Sequence, residues 1–120
     1  MEAEFIEEGG YYLARYAGLR TYPVIIALLE EVAELARSTG VYRYLFDLRK
    51  SDEGFSVADK YELGNYLGQL FGTRFTVAVL LRKEHITGFL ENVSINRGAK
   101  NFTITDDEEK AKKWVSRPKA

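Results

Sequence analysis

The chain has 120 residues, 46% hydrophobic and 13% aromatic, enough for one domain with a real core. Its 17 basic and 18 acidic residues leave a formal net charge of -1, which excludes a general field for gathering nucleic acid or an anionic membrane surface. The absence of cysteine excludes disulfides, thiolate metal sites and cysteine nucleophiles, and the lone His85 excludes a multi-histidine metal site.

The start of the chain, "MEAEFIEEGG", is acidic and lacks an apolar stretch of signal-peptide type, and no window approaches the apolar length of a membrane span. The expectation is a cytoplasmic protein without an integral membrane segment. Residues 3 to 8 and 11 to 17 alternate around Gly9-Gly10, a pair suited to the positive φ angles of a two-residue hairpin turn. From Thr21 the spacing becomes helical through Ile25, Leu28, Leu29, Val32, Leu35 and Ala36; Thr21 can cap, Pro23 fits a first turn, and Gly40 is the stop.

"VYRYLFDL", residues 41 to 48, is short, β-branched and aromatic, as an inner strand requires. A second helix is expected from Ser56 to Phe71, burying Val57, Leu63, Leu67 and Leu70, with Tyr61 and Tyr66 at its flanks. The nearly unbroken apolar run "FTVAVLL", residues 75 to 81, predicts a strand covered on both faces. A third helical pattern runs from His85 to Asn96 through Ile86, Phe89, Leu90 and Val93, with Gly98 to end it. "NFTIT" predicts a last strand, and "TDDEEKAKKWV" a last helix whose acids come first and lysines last, as the helix dipole favours, with Ala111, Trp114 and Val115 as its apolar stripe. Hairpin, then helices alternating with strands, predicts a single α/β domain over residues 1–120, with one mostly parallel sheet and right-handed crossovers.

With this element order the chain resembles the STAS domains (sulfate transporter and anti-sigma factor antagonist), and especially the bacterial SpoIIAA-like proteins. The resemblance is carried by Gly18 of "AGLRT" before the first helix, by Asp47-Leu48 at the end of the next strand, and by the phenylalanine strand running into the acidic helix of "NFTITDDEEKAKKWV". It covers nearly the whole chain. The anti-sigma antagonists carry a phosphorylated Ser nine positions after the strand-end residue, and nine positions after Asp47 is Ser56. The surrounding motif is not kept: Phe55 stands where that family has Asp, and Val57 and Ala58 replace its Ser/Thr and Gly. Ser56 has two readings, a phosphosite implied by the resemblance and a helix N-cap forming a capping box with Asp59. An anion there would meet the positive end of the helix.

In a parallel sheet ligands bind beyond the carboxyl ends of the strands, which gathers Asp47, Arg49, Lys50, Ser51 and Ser56 from one loop with Arg82, Lys83 and His85 from the next. The plain alternative is a set of solvated loop charges. His85 is expected to start a helix, because no Ser or Cys nucleophile in a G-x-S-x-G elbow accompanies it. Gly64 and Gly68, one turn apart inside the second helix, each cost about 1 kcal/mol against Ala and so predict close packing, a dimer contact or a groove that admits a ligand. The eight tyrosines are expected mainly at core edges.

The expected function is a non-enzymatic interaction or regulatory module, with no cofactor, no metal and no nucleic acid. Its partner would be a regulatory protein or a second copy, bound on the second-helix surface that includes Tyr61. The alternative is a small apolar ligand held between the second and third helices, by analogy with lipid-transfer domains of the CRAL-TRIO type, which share broad architecture with the STAS family. A third reading is hydrolysis or anion chemistry at Asp47, Arg49, Lys83 and His85.

Overall fold

The two alternating segments at the start of the chain pair as predicted, strand β1 (Ala3–Glu7) antiparallel to β2 (Tyr12–Tyr16). The structure is a computed structural model that describes residues 3–117; the ends of the expected domain, residues 1–2 and 118–120, lie outside them. The hairpin register pairs Glu7 with Tyr12, so the connection is Glu8 to Tyr11 rather than the two-residue turn expected, and Gly9 and Gly10 take φ of +67° and +117° within it. Helix α1 (Tyr22–Thr39) begins and ends where the sequence places it. The Thr21 side chain accepts from the Val24 N–H, Pro23 sits in the first turn, and Gly40 closes the helix with its N–H on the Ala36 carbonyl.

Strand β4 (Arg43–Asp47) lies between β2 and β6 (Thr76–Leu80), and β7 (Asn101–Thr105) completes a five-stranded sheet in the order β1-β2-β4-β6-β7. Every pairing except the hairpin is parallel. Alternation assigns the faces. Tyr44, Phe46, Val77 and Phe102 face α1 and the apolar stripe of α2 (Val57–Phe71), while Leu45, Ala78 and Leu80 face Ala111 and Val115 of α4 (Glu108–Ser116). Helix α3 (Phe89–Asn96) packs on α2 and β7. Among the described residues no helix is long and apolar enough to cross a membrane.

Three expectations are corrected. The sheet is not alone: β3 (Gly18–Arg20) and β5 (Ser51–Glu53) form a separate parallel ladder with Gly18 opposite Ser51 and Arg20 opposite Glu53. The third helix starts four residues later than its apolar spacing indicates, at Phe89; Lys83–His85 is a single 3-10 turn, and Gly88 at φ +83° breaks the path into α3, so His85 does not start the α-helix. Val57, expected inside, is 76% exposed: it is the first residue of α2, ahead of the buried face that runs from Leu63 to Phe71.

Candidate functional site

The β3–β5 ladder sits at the carboxyl ends of the parallel strands and walls one end of a cleft. Leu28 and Leu29 of α1, Leu63, Leu67 and Phe71 of α2, and Phe46 of β4 line its interior. Residues 86–88 and Leu90 also border it. The envelope is about 810 Å³ when its open mouth is counted, but the room for the centre of a water-sized atom is about 70 Å³. The smaller figure governs what fits without rearrangement, since the larger includes bulk solvent. At 10–15 Å³ per water-sized position that is about five heavy atoms, so the cleft is a narrow apolar slot.

Its polar end is built by the short ladder. Arg20 is 3% exposed, and its guanidinium donates to Ser51 Oγ, which donates in turn to the Leu48 carbonyl. The Arg20 guanidinium also stands 5.9 Å from the centre of the Phe55 ring. Glu53, opposite Arg20 in the ladder, has Oε1 4.0 Å from Arg20 Nη2 and Oε2 3.0 Å from Lys60 Nζ. Burial lowers the Arg20 pKa, opposed by the attraction of Glu53. Arg82 Nη2 donates to Asp52 at 2.7 Å and to the Ser51 carbonyl at 3.3 Å, and lies 3.4 Å from His85 Nε2. His85 also lines the slot, and its Nδ1 is buried with no hydrogen-bond partner among the described residues.

The loop residues grouped by sequence therefore separate. Ser51, Arg82 and His85 are brought together, but of the three it is His85 that lines the slot, and Ser51 is fully buried and cannot be part of a surface. Asp47 shares the parity of Leu45 and points to the α4 side of the sheet. There Arg49 grips its carboxylate through Nε at 2.9 Å and Nη2 at 2.8 Å and reaches Glu108 at 3.1 Å. The hydrogen bonds from Arg49 hold the Asp47 carboxyl below its ordinary range, against the opposing effect of burial. A catalytic grouping of Asp47 and Arg49 with Lys83 and His85 is thus divided between the two faces of the sheet. Lys50 and Lys83 are exposed, with no side-chain contact to the slot.

Ser56 is the N-cap of α2 in a complete capping box: its Oγ accepts from the Asp59 N–H and the Asp59 carboxylate accepts from the Ser56 N–H, both at 3.0 Å. Gly64 and Gly68 are buried beneath α3, so they are packing positions and not an open groove. Tyr61 is 41% exposed, under the Arg97 guanidinium, which donates to its hydroxyl. Among the described residues no group of three or more His, Cys, Asp or Glu could hold a metal ion.

No protein-family model and no curated protein matches this sequence. The structure is similar to that of an uncharacterized protein of the DUF3478 family with a SpoIIAA-like fold from Shewanella loihica PV-4. The TM-score is 0.56 at 21% sequence identity, over 95% of this chain and 92% of the other. This chain has a SpoIIAA-like fold. Within that SpoIIAA-like fold, Arg20, Glu53, Lys60 and Glu91 are charged slot residues that sequence reasoning missed. A signal for Arg20 existed: β2 runs parallel to β4, so the rule that pointed to the loops after β4 and β6 points equally to the segment after β2.

Proposed function

We propose that this SpoIIAA-like chain is a non-catalytic cytoplasmic module that binds a small apolar or amphipathic molecule in the slot between α1, α2, the sheet and the rim before α3. The observation that carries the reading is the slot itself, apolar along its length and bounded at one end by Arg20, Glu53 and Lys60. That is the usual make-up of a small-molecule site, an apolar lining with a few polar groups to fix orientation. Its size favours a short chain over a ring: an engineered apolar cavity of about 150 Å³ admits benzene, roughly twice the room available here. The test is a titration with 1-butanol followed by amide chemical shifts. Shifts confined to Leu28, Leu67, Leu90 and their neighbours, abolished by Ile86→Trp at the rim, are the expected result. No localised shifts at concentrations up to about 10 mM would remove the reading.

A second reading, protein binding on the α2 surface by a regulatory protein or a second copy, is favoured by Val57 at 76% and Tyr61 at 41% exposure, one helical turn apart. A phosphate on Ser56 would bring its negative charge beside the Asp59 carboxylate in the capping box, which weighs against that switch. Sedimentation of the chain with and without Val57→Asp tests self-association; an unchanged monomer in both disposes of the second-copy form.

A further inference from the structure

Arg20 is the most deeply buried charge at the slot, and its electrostatic partners fall short of satisfying it. Its hydrogen bond to a neighbouring side chain is with a neutral hydroxyl, Ser51 Oγ. The carboxylate opposite it in the ladder, Glu53, stays 4.0 Å away, beyond hydrogen-bond distance, while Lys60 holds the other oxygen of that carboxylate at 3.0 Å. Two cations therefore share one anion at the inner end of the slot. Of the other charges nearby, Arg82 pairs with Asp52 at 2.7 Å and lies 3.6 Å from Glu84, its buried Nε without a hydrogen-bond partner among the described residues, and Glu91 on the α3 wall accepts from the Ile104 N–H at 3.2 Å. A buried charge without a close counter-ion is costly, and an incoming anion removes that cost. Burial acts on Arg20 in the same sense, pulling its pKa below the ordinary guanidinium value.

We infer that the ligand of this slot is a small monocarboxylate with a short apolar body, its carboxylate held at Arg20 and its body inserted between α1 and α2. The inference rests on the slot-binding reading above and names the head group for it. A planar carboxylate matches the guanidinium fork. Around Arg20 the cations Arg20, Lys60 and Arg82 exceed the carboxylates Glu53 and Asp52 by one, which a single negative charge balances. A phosphate dianion overshoots that local balance.

The experiment compares butyrate, 1-butanol and butylamine by amide-shift titration on the unmodified chain, Arg20→Met and Ile86→Trp. A hydrogen-bonded ion contact of this kind favours butyrate over butanol by roughly tenfold or more in affinity. The preference disappears in Arg20→Met while butanol binding persists, and Ile86→Trp removes both. Because Arg20 is buried and its replacement can unfold the chain, a second readout uses the unmodified protein: the Arg20 Nε–H resonance moves with butyrate and not with butanol. Equal binding of butanol and butyrate, a preference that survives Arg20→Met, or an unmoved Arg20 resonance overturns the head-group assignment and leaves the slot. Absence of binding by all three overturns both.

Discussion

Gly68 lies directly beneath Arg97: a Cβ added at Gly68 would fall 2.6 Å from the Arg97 Cβ and 2.7 Å from its carbonyl carbon and oxygen. Helix α3 rests on α2 at these glycines, so the seat of α3 is set by how closely the two helices approach. The same replacement at Gly64 would meet Val93 Cγ1 at 2.5 Å and Cβ at 2.8 Å.

Gly68→Ala gains about 1 kcal/mol of helix propensity and meets backbone that cannot swing aside. The expected net result is a loss of about 1–3 kcal/mol in urea unfolding, larger than for Gly64→Ala, where a side chain is the nearer obstacle. A neutral or stabilised Gly68→Ala protein would mean the two helices do not meet this closely.

Ser51→Ala removes the hydroxyl that accepts from the buried Arg20 guanidinium. Hydrogen bonds to charged groups contribute about 1.5–3 kcal/mol, so a loss of that order is expected in chemical denaturation. Ser51→Thr, which keeps a hydroxyl but adds a methyl in a fully buried site, should recover only part of it.

Tyr44 is fully buried, and its hydroxyl has no hydrogen-bond partner among the described residues. Its pKa is pushed up to about 12, first by burial and then by Tyr12 and Tyr42. The neutral phenol is thus the folded form: its contribution is complete below about pH 10 and lost as pH rises through about 12. Tyr44→Phe removes an unsatisfied polar atom and should stabilise the chain by about 1 kcal/mol at neutral pH and flatten its alkaline unfolding, both measurable by thermal melts across pH.

Asp47 titrates in the opposite sense. Its folded pKa is held down by the hydrogen bonds from Arg49, so its contribution is present above the ordinary carboxylate value of about 4 and lost as pH falls through the lower folded value. Asp47→Asn should be less stable than the parent at neutral pH, and the gap should close in acid. A gap constant from neutral to acid pH would show that the Arg49 pair contributes nothing.

Ser56→Ala breaks one arm of the capping box and should cost about 1 kcal/mol. Because Ser56 is exposed and does not line the slot, butanol binding should be unchanged by it.

Much of this architecture is legible in the linear pattern. Thr21 and Gly40 bracket α1, Ser56 opens α2, and the apolar run of β6 is buried on both faces, because caps and burial periodicity are local consequences of backbone geometry. The onset of α3 was misplaced because Ile86 carries the right spacing while Gly88, two residues later, turns the backbone to positive φ. Ser51 was placed with exposed loop charges because nothing local distinguishes a solvated serine from one buried under an arginine.

The sequence by itself determined the order of the four helices and of the five strands of the main sheet, the hairpin, the N-termini of α1 and α2, and the inner position of β4 and β6. Only the tertiary structure decided the polar end of the slot. Arg20 and Glu53 meet through a three-residue parallel ladder between segments more than thirty residues apart, "GLR" and "SDE". Neither segment alternates or carries an apolar run, and a parallel ladder takes its partners from distant chain, so the pairing has no signature in either segment alone. The burial of Arg20, and with it the charge that faces the slot, follows from that pairing.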